Sequence, residues 1–80
     1  MKTNIMFVLS DNNIAHAVGD SINDAPSVGD IVTFEDNAYV ISPQFAGVQF
    51  RVVNRVVSYG KQFNNLPGFS TVLIILEFVN

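Results

Sequence analysis

The sequence predicts a mostly β domain, a small five-stranded antiparallel barrel or rolled sheet in which all 80 residues form one unit. Three observations carry this. Apolar residues recur in short alternating or β-branched runs, the pattern of half-buried strands, and no run has the length and spacing of an amphipathic helix. Clusters of Gly, Asn, Asp, Ser and Pro separate the runs, and each of these residues reverses a chain for its own steric or hydrogen-bonding reason. Between two of the runs stand Asp36 and Asn37, which tolerate the positive φ that a type I′ hairpin turn requires.

Taken in order, residues 3 to 9 alternate with Ile5, Phe7 and Leu9 on one face and Met6 and Val8 on the other, and form the first strand. Residues 11 to 29 are rich in turn formers. Within them Asn13 is a candidate cap for one short helical turn over residues 13–19, which Gly19 would end. Ile31 to Phe34 and Ala38 to Ile41 are the two arms of the predicted hairpin. Pro43 to Gly47 is a loop, Gln49 to Tyr59 a long strand that must bend or twist, and Gly60 to Phe69 a second loop. Ser70 to Val79 is the last strand.

Composition narrows the ways in which so short a chain is held together. Domains of this size bury a small fraction of their surface and usually add disulfides, a metal or a partner subunit. There is no cysteine, and His16 is the only histidine, so a disulfide scaffold is excluded and a zinc site lacks ligands. Oligomerisation remains. Hydrophobic residues make up 49% of the chain and charged residues 14%, against about 25% charged in an average soluble domain. The apolar run after Lys2 is too short for a secretory signal, and Val72 to Leu76 is far too short to span a membrane. The expectation is a cytoplasmic protein with no membrane partner.

Pairing the last two strands about a centre near Asn65 sets Val53 opposite Glu77 and Arg55 opposite Ile75. The even face then gathers Phe50, Val52, Val56, Val72, Ile74, Leu76 and Phe78 as a core, with Asn54 as its one awkward member. The odd face gathers Arg51, Val53, Arg55, Val57, Tyr59, Thr71, Leu73, Ile75 and Glu77. A face half apolar and half charged is what a protein contact looks like. Residues 11 to 29 are the alternative cover for it.

At this point the segment from Pro26 to Ile41, with its Val28-Gly29-Asp30 turn, short strand, two-residue turn and Tyr39-led strand, resembles the opening hairpin of SH3-like small barrels. The Phe50-Arg51-Val52-Val53 strand and the apolar last strand continue the likeness over residues 26–79. The chain is similar in this to short reading frames of bacteriophages and prophages. The resemblance implies an SH3-like barrel in a bacterial host, acting as a virion accessory protein or as an inhibitor of a host defence system or host enzyme. It carries over no site residue.

Chemistry-bearing constellations are few. His16 and Asp20 would share a face of a helix, but two groups do not make a metal or catalytic site. Asp11, Asp20, Asp24 and Asp30 are not spaced as a calcium loop and read as turn and cap residues. There is no phosphate-binding glycine loop and no nucleophile elbow. The expectation is therefore no enzyme, no cofactor and no metal. Net charge is −3, six of the seven acids lie at or before Asp36, and three of the four bases are Arg51, Arg55 and Lys61.

Arg51, Arg55 and Tyr59 on one strand face, with Lys61 and Phe63 in the loop beyond, form the best candidate. Cations beside aromatic rings hold single-stranded nucleic acid, but overall acidity and so few bases weigh against phosphate binding. Arg and Tyr are also enriched in protein interfaces. The predicted contact surface is Arg51, Val53, Arg55, Val57, Tyr59, Lys61, Phe63, Leu73 and Ile75. Phe63, Leu66 and Phe69 either fold back over the barrel end or insert into a neighbour. The favoured function is a non-enzymatic, homo-oligomeric protein-interaction module. A binder of small anions or nucleotides between subunits, using Arg51 and Arg55, and a single-stranded nucleic-acid binder stay open as alternatives.

Overall fold

The structure, a computed structural model, describes residues 2–35, 43–60 and 70–79. Five strands, β1 (Thr3–Leu9), β2 (Asn12–Gly19), β3 (Ile31–Thr33), β4 (Gln49–Tyr59) and β5 (Ser70–Phe78), form one sheet in the order β2-β1-β5-β4-β3. The sheet is mostly antiparallel and curls into an open half-barrel. The hairpin at Asp36-Asn37, the strand from Ala38 to Ile41 and the loop residues 61–69 lie outside the described residues.

Residues 13–19 are not a helical turn. Ser10 and Asp11 both adopt positive φ, 50° and 68°, and turn the chain tightly enough for Asn12 to pair with Leu9. From there β2 runs back along β1, and the backbone groups that face β1 gain ladder partners that five helical residues alone would lack. Ile14 is an extra residue in this ladder, since Phe7 pairs with Ala15 and Val8 with Asn13. The short helical element comes later, a 3-10 turn at Ile22–Asp24. Ser21 accepts the Asn23 N–H there, while the Asp24 carboxylate accepts from the N–H groups of Asp20 and Ser21 at 2.7 and 3.2 Å.

One strand pair departs from the expected all-antiparallel sheet. β1 and β5 lie side by side and parallel, with Thr3 beside Ser70 and Leu9 beside Leu76. The two longest apolar runs, Ile5 to Leu9 and Val72 to Leu76, thus become the two neighbouring inner strands. Near-continuous hydrophobic sequence is the signature of such parallel positions. The segment after β2 carries the chain from one edge of the sheet to the other. It is tied down where Gly29 donates to the Val52 carbonyl at 2.9 Å and the Val52 N–H donates to Asp30 at 3.0 Å.

The inner face of the curl holds the core. Ile5, Phe7 and Leu9 of β1 meet Ile14 and Ala15 of β2, Val72, Ile74 and Leu76 of β5, and Phe50 and Val52 of β4, with Ala25 and Phe34 closing over them. Phe50 has no exposed surface. Its ring touches those of Phe34, Phe45 and Phe78 at centroid distances of 5.9, 6.0 and 5.4 Å. Full burial of one such side chain stabilises by about 1.5–3 kcal/mol.

Candidate functional site

The surface available for function is set by a one-residue irregularity in β4. Up to Val52 the β4–β5 pairs are Phe50 with Phe78, Arg51 with Glu77 and Val52 with Leu76; beyond it they are Asn54 with Ile75, Arg55 with Ile74 and Val57 with Val72. Val53 is the extra residue, a β-bulge, and it reverses which side chains face in. The expected pairing of Val53 with Glu77 and of Arg55 with Ile75 is therefore corrected. Asn54, awkward on a core face, is exposed and accepts the Arg55 N–H at 2.8 Å. Val56 is exposed and Val57 packs against the core.

The predicted surface consequently divides between two faces. Arg51, Val53, Leu73 and Ile75 belong to the outer face, whereas Arg55, Val57 and Tyr59 share inner-face rows with Ile74, Val72 and Ser70. Lys61 and Phe63 lie outside the described residues. The outer face gains residues that the sequence reading did not assign to it. His16, Met6, Leu73 and Val56 form one row across four strands, and Val8, Ile75 and Asn54 form the next. Val8 is buried yet stands apart from the core cluster, and Met6, Leu73 and Ile75 are half-buried. Val53 and Val56 remain 41% and 44% exposed. Residues 11 to 29 extend the sheet through β2 and reach its inner side, where Ala25 joins the core and Ile22 packs against it.

One charged pair borders the apolar rows. Arg51 Nη1 and Glu77 Oε1 lie 3.3 Å apart, directly opposite each other on β4 and β5, with side chains about half exposed. Pairs of this kind contribute about 0.2–1 kcal/mol, so this one limits and orients the face more than it stabilises the fold.

Arg55 has a different setting. Its Nη2 donates to the Ile22 carbonyl at 2.6 Å, which ties β4 to the 3-10 turn, while its Nε is buried with no partner among the described residues. Because Arg51 and Arg55 face opposite sides of the sheet, they do not converge on one anion.

The other candidates also find places. His16 is exposed on β2, and Asp20, beyond the strand end, lies 3.6 Å from Lys2. Asp24 and Asp30 accept backbone N–H groups, Asp30 from Ser27 at 2.8 Å, as turn and cap residues do. Among the described residues no three metal-ligating side chains come together, and no helix is long and apolar enough to cross a membrane. A cleft of about 470 Å³ opens beside the β1–β2 turn. It is lined by the apolar Leu9, Ile14, Phe45 and Phe78 and the polar Ser10, Asn12, Asn13 and Gln44, none of them ionisable near neutral pH.

Comparison with protein-family models, with curated proteins and with solved structures finds no match.

Proposed function

We propose that the protein is a non-enzymatic interaction module that self-associates and meets a protein partner through the outer face of its sheet. The observation that carries this is the pair of apolar rows that share the outer face, Met6, Leu73 and Val56 in one and Val8 and Ile75 in the other, with Val56 44% exposed and Met6, Leu73 and Ile75 half-buried. Burying such rows removes apolar area from water, and a chain with 14% charged residues has little else to keep them soluble. Nothing that lines the cleft transfers protons near neutral pH, which supports binding over catalysis. The bacteriophage resemblance adds a class of partner, a virion component or a host defence protein or enzyme.

Light scattering tests the self-association. The native chain is expected to exceed its single-chain mass at micromolar concentration, and Val53→Glu combined with Val56→Glu is expected to lower that mass without unfolding the domain. A single-chain mass for the native protein up to hundreds of micromolar overturns the reading.

A further inference from the structure

We infer that the cleft beside the β1–β2 turn is a binding site for an uncharged saccharide. The inference goes beyond the self-association proposed above and does not depend on it, because the cleft is built from the end of the core and not from the outer apolar rows.

Three separate stretches of chain build the cleft, and contacts outside it hold each in place. The tight turn at Ser10 and Asp11 sets the start of β2 against the end of β1. A second 3-10 turn, Pro43–Phe45, supplies Gln44 and Phe45. It is anchored where the Val48 N–H donates to the Phe45 carbonyl at 3.2 Å and the Gly47 N–H to the Phe34 carbonyl at 2.8 Å. Phe78 ends β5, and its ring rests on those of Phe50 and Phe45 at centroid distances of 5.4 and 6.4 Å. The cleft volume of about 470 Å³ falls within the roughly 300–1,000 Å³ of small-molecule sites.

Burial sorts the lining. Ile14 and Leu9 are buried and Phe45 is half-buried, whereas Ser10, Asn12, Asn13 and Gln44 are exposed. Phe78 is apolar yet 50% exposed. The cleft is thus apolar where it is deep and polar where it meets water, with one aromatic ring half uncovered.

This lining selects the ligand. An ion of either sign would leave water with no opposite charge among the lining groups to receive it. The charged residues next to the lining in sequence are Asp11 and Glu77, both acids, and Glu77 is already paired with Arg51. Nucleotides and other phosphates are therefore disfavoured. A wholly apolar ligand would strip water from three amides and a hydroxyl and leave them unpaired. Among the described residues the side chains of Asn13 and Gln44 make no hydrogen bond, and that of Asn12 makes one, to the Ser10 carbonyl at 3.3 Å. Each amide both donates and accepts, as does every sugar hydroxyl, so the two sets match whichever way the amides turn. The C–H face of a sugar ring is apolar and suits the uncovered side of Phe78. A flat base fits less well, because the Phe45 and Phe78 rings touch at a tilt of 41° and leave no slot between them.

The test titrates the full, isotopically labelled chain with the methyl glycosides of glucose, galactose, mannose and N-acetylglucosamine at tens of millimolar, with adenosine and uridine as uncharged planar comparisons. A single ring is expected to bind with Kd of about 1 mM. Amide shifts should gather at residues 10–14, 44, 45 and 78 and spare His16 and Val56. Asn13→Ala combined with Gln44→Ala alters only exposed side chains and is expected to weaken that binding about fivefold, the loss of one net hydrogen bond, with an unchanged far-UV spectrum. No shift with any glycoside overturns the assignment. Shifts with the nucleosides alone, or glycoside binding that the double variant keeps in full, overturn it as well. Mass by light scattering is read separately, so a monomer that binds glycoside overturns only the proposed self-association, and an oligomer that binds none overturns only the saccharide site.

Discussion

Arg51 and Arg55 stand four residues apart on one strand and face opposite sides of the sheet, because Val53 between them is one residue more than β5 can match. Spacing by an even number guarantees a shared face only in an unbroken strand. The bulge therefore decides which β4 side chains the protein keeps and which it offers to others.

The bulge gives a paired prediction. Val57→Lys places a charge against the core and is expected to cost about 2–3 kcal/mol, whereas Val56→Lys, on an exposed position, is expected to stay within about 0.5 kcal/mol. Urea unfolding of the two variants checks this. The opposite order would return β4 to regular pairing with its even residues inside.

Gly19 is required by its neighbour. A Cβ added there would lie 2.8 Å from the Asp24 Cβ, so Gly19→Ala must displace the carboxylate that accepts the Asp20 and Ser21 N–H groups. Losing that cap is expected to cost about 1–2 kcal/mol. Asp24→Ala alone should cost a similar amount, and the double variant clearly less than the sum, because both changes remove the same interactions. Additive values from thermal unfolding would separate the two residues.

Asp11 holds φ at 68° without being a glycine. Left-handed backbone costs about 1–2 kcal/mol for most side chains and somewhat less for Asp or Asn. Asp11→Gly is expected to stabilise the β1–β2 turn by about 0.5–1 kcal/mol, a rise of a few degrees in Tm for a domain of this size. Differential scanning calorimetry measures it, and an unchanged or lowered Tm counts against the turn geometry.

Arg55 carries a buried Nε without a partner and one hydrogen bond to Ile22. Met keeps much of the apolar stem while removing an incompletely satisfied charge, so Arg55→Met is expected to be within about 1 kcal/mol of neutral or stabilising. A loss of about 3 kcal/mol in denaturant titration would show instead that its tie to the 3-10 turn is structurally essential.

Much of the fold was legible because strands announce themselves by composition and period. β1 has the limits read from Thr3 and Leu9, β4 those read from Gln49 and Tyr59, and β5 ends one residue early at Phe78. What escaped were features that depend on partners. β2 looked like a turn-rich loop, since Asn12, Asn13, His16 and Gly19 dilute its alternation and a Ser-Asp turn lacks the glycine that marks most type I′ turns. The parallel pairing of β1 with β5 has no local signal beyond their two-sided apolarity.

The site was half legible for the same reason. Arg51, Leu73 and Ile75 belong together on the outer face, but period-two counting ran through the bulge and carried Arg55, Val57 and Tyr59 with them. Asn54 was the available signal. A polar residue on an otherwise apolar face is either buried and paired or a sign that the count has slipped, and here it marked the slip.

The parallel seam between β1 and β5 also governs when the domain can form. The β1–β2 hairpin closes within a short stretch of chain, but its apolar strand has no neighbour on the other side until β5 has been made. Contacts of such long sequence separation are slow to form, and an unpaired apolar strand edge is prone to aggregate while it waits. A ribosome-bound chain halted before Ser70 should therefore hold β1 and β2 without a core, vulnerable to proteases and to neighbouring nascent chains. Release of β5 from the exit tunnel then becomes the event that commits the molecule to its native state.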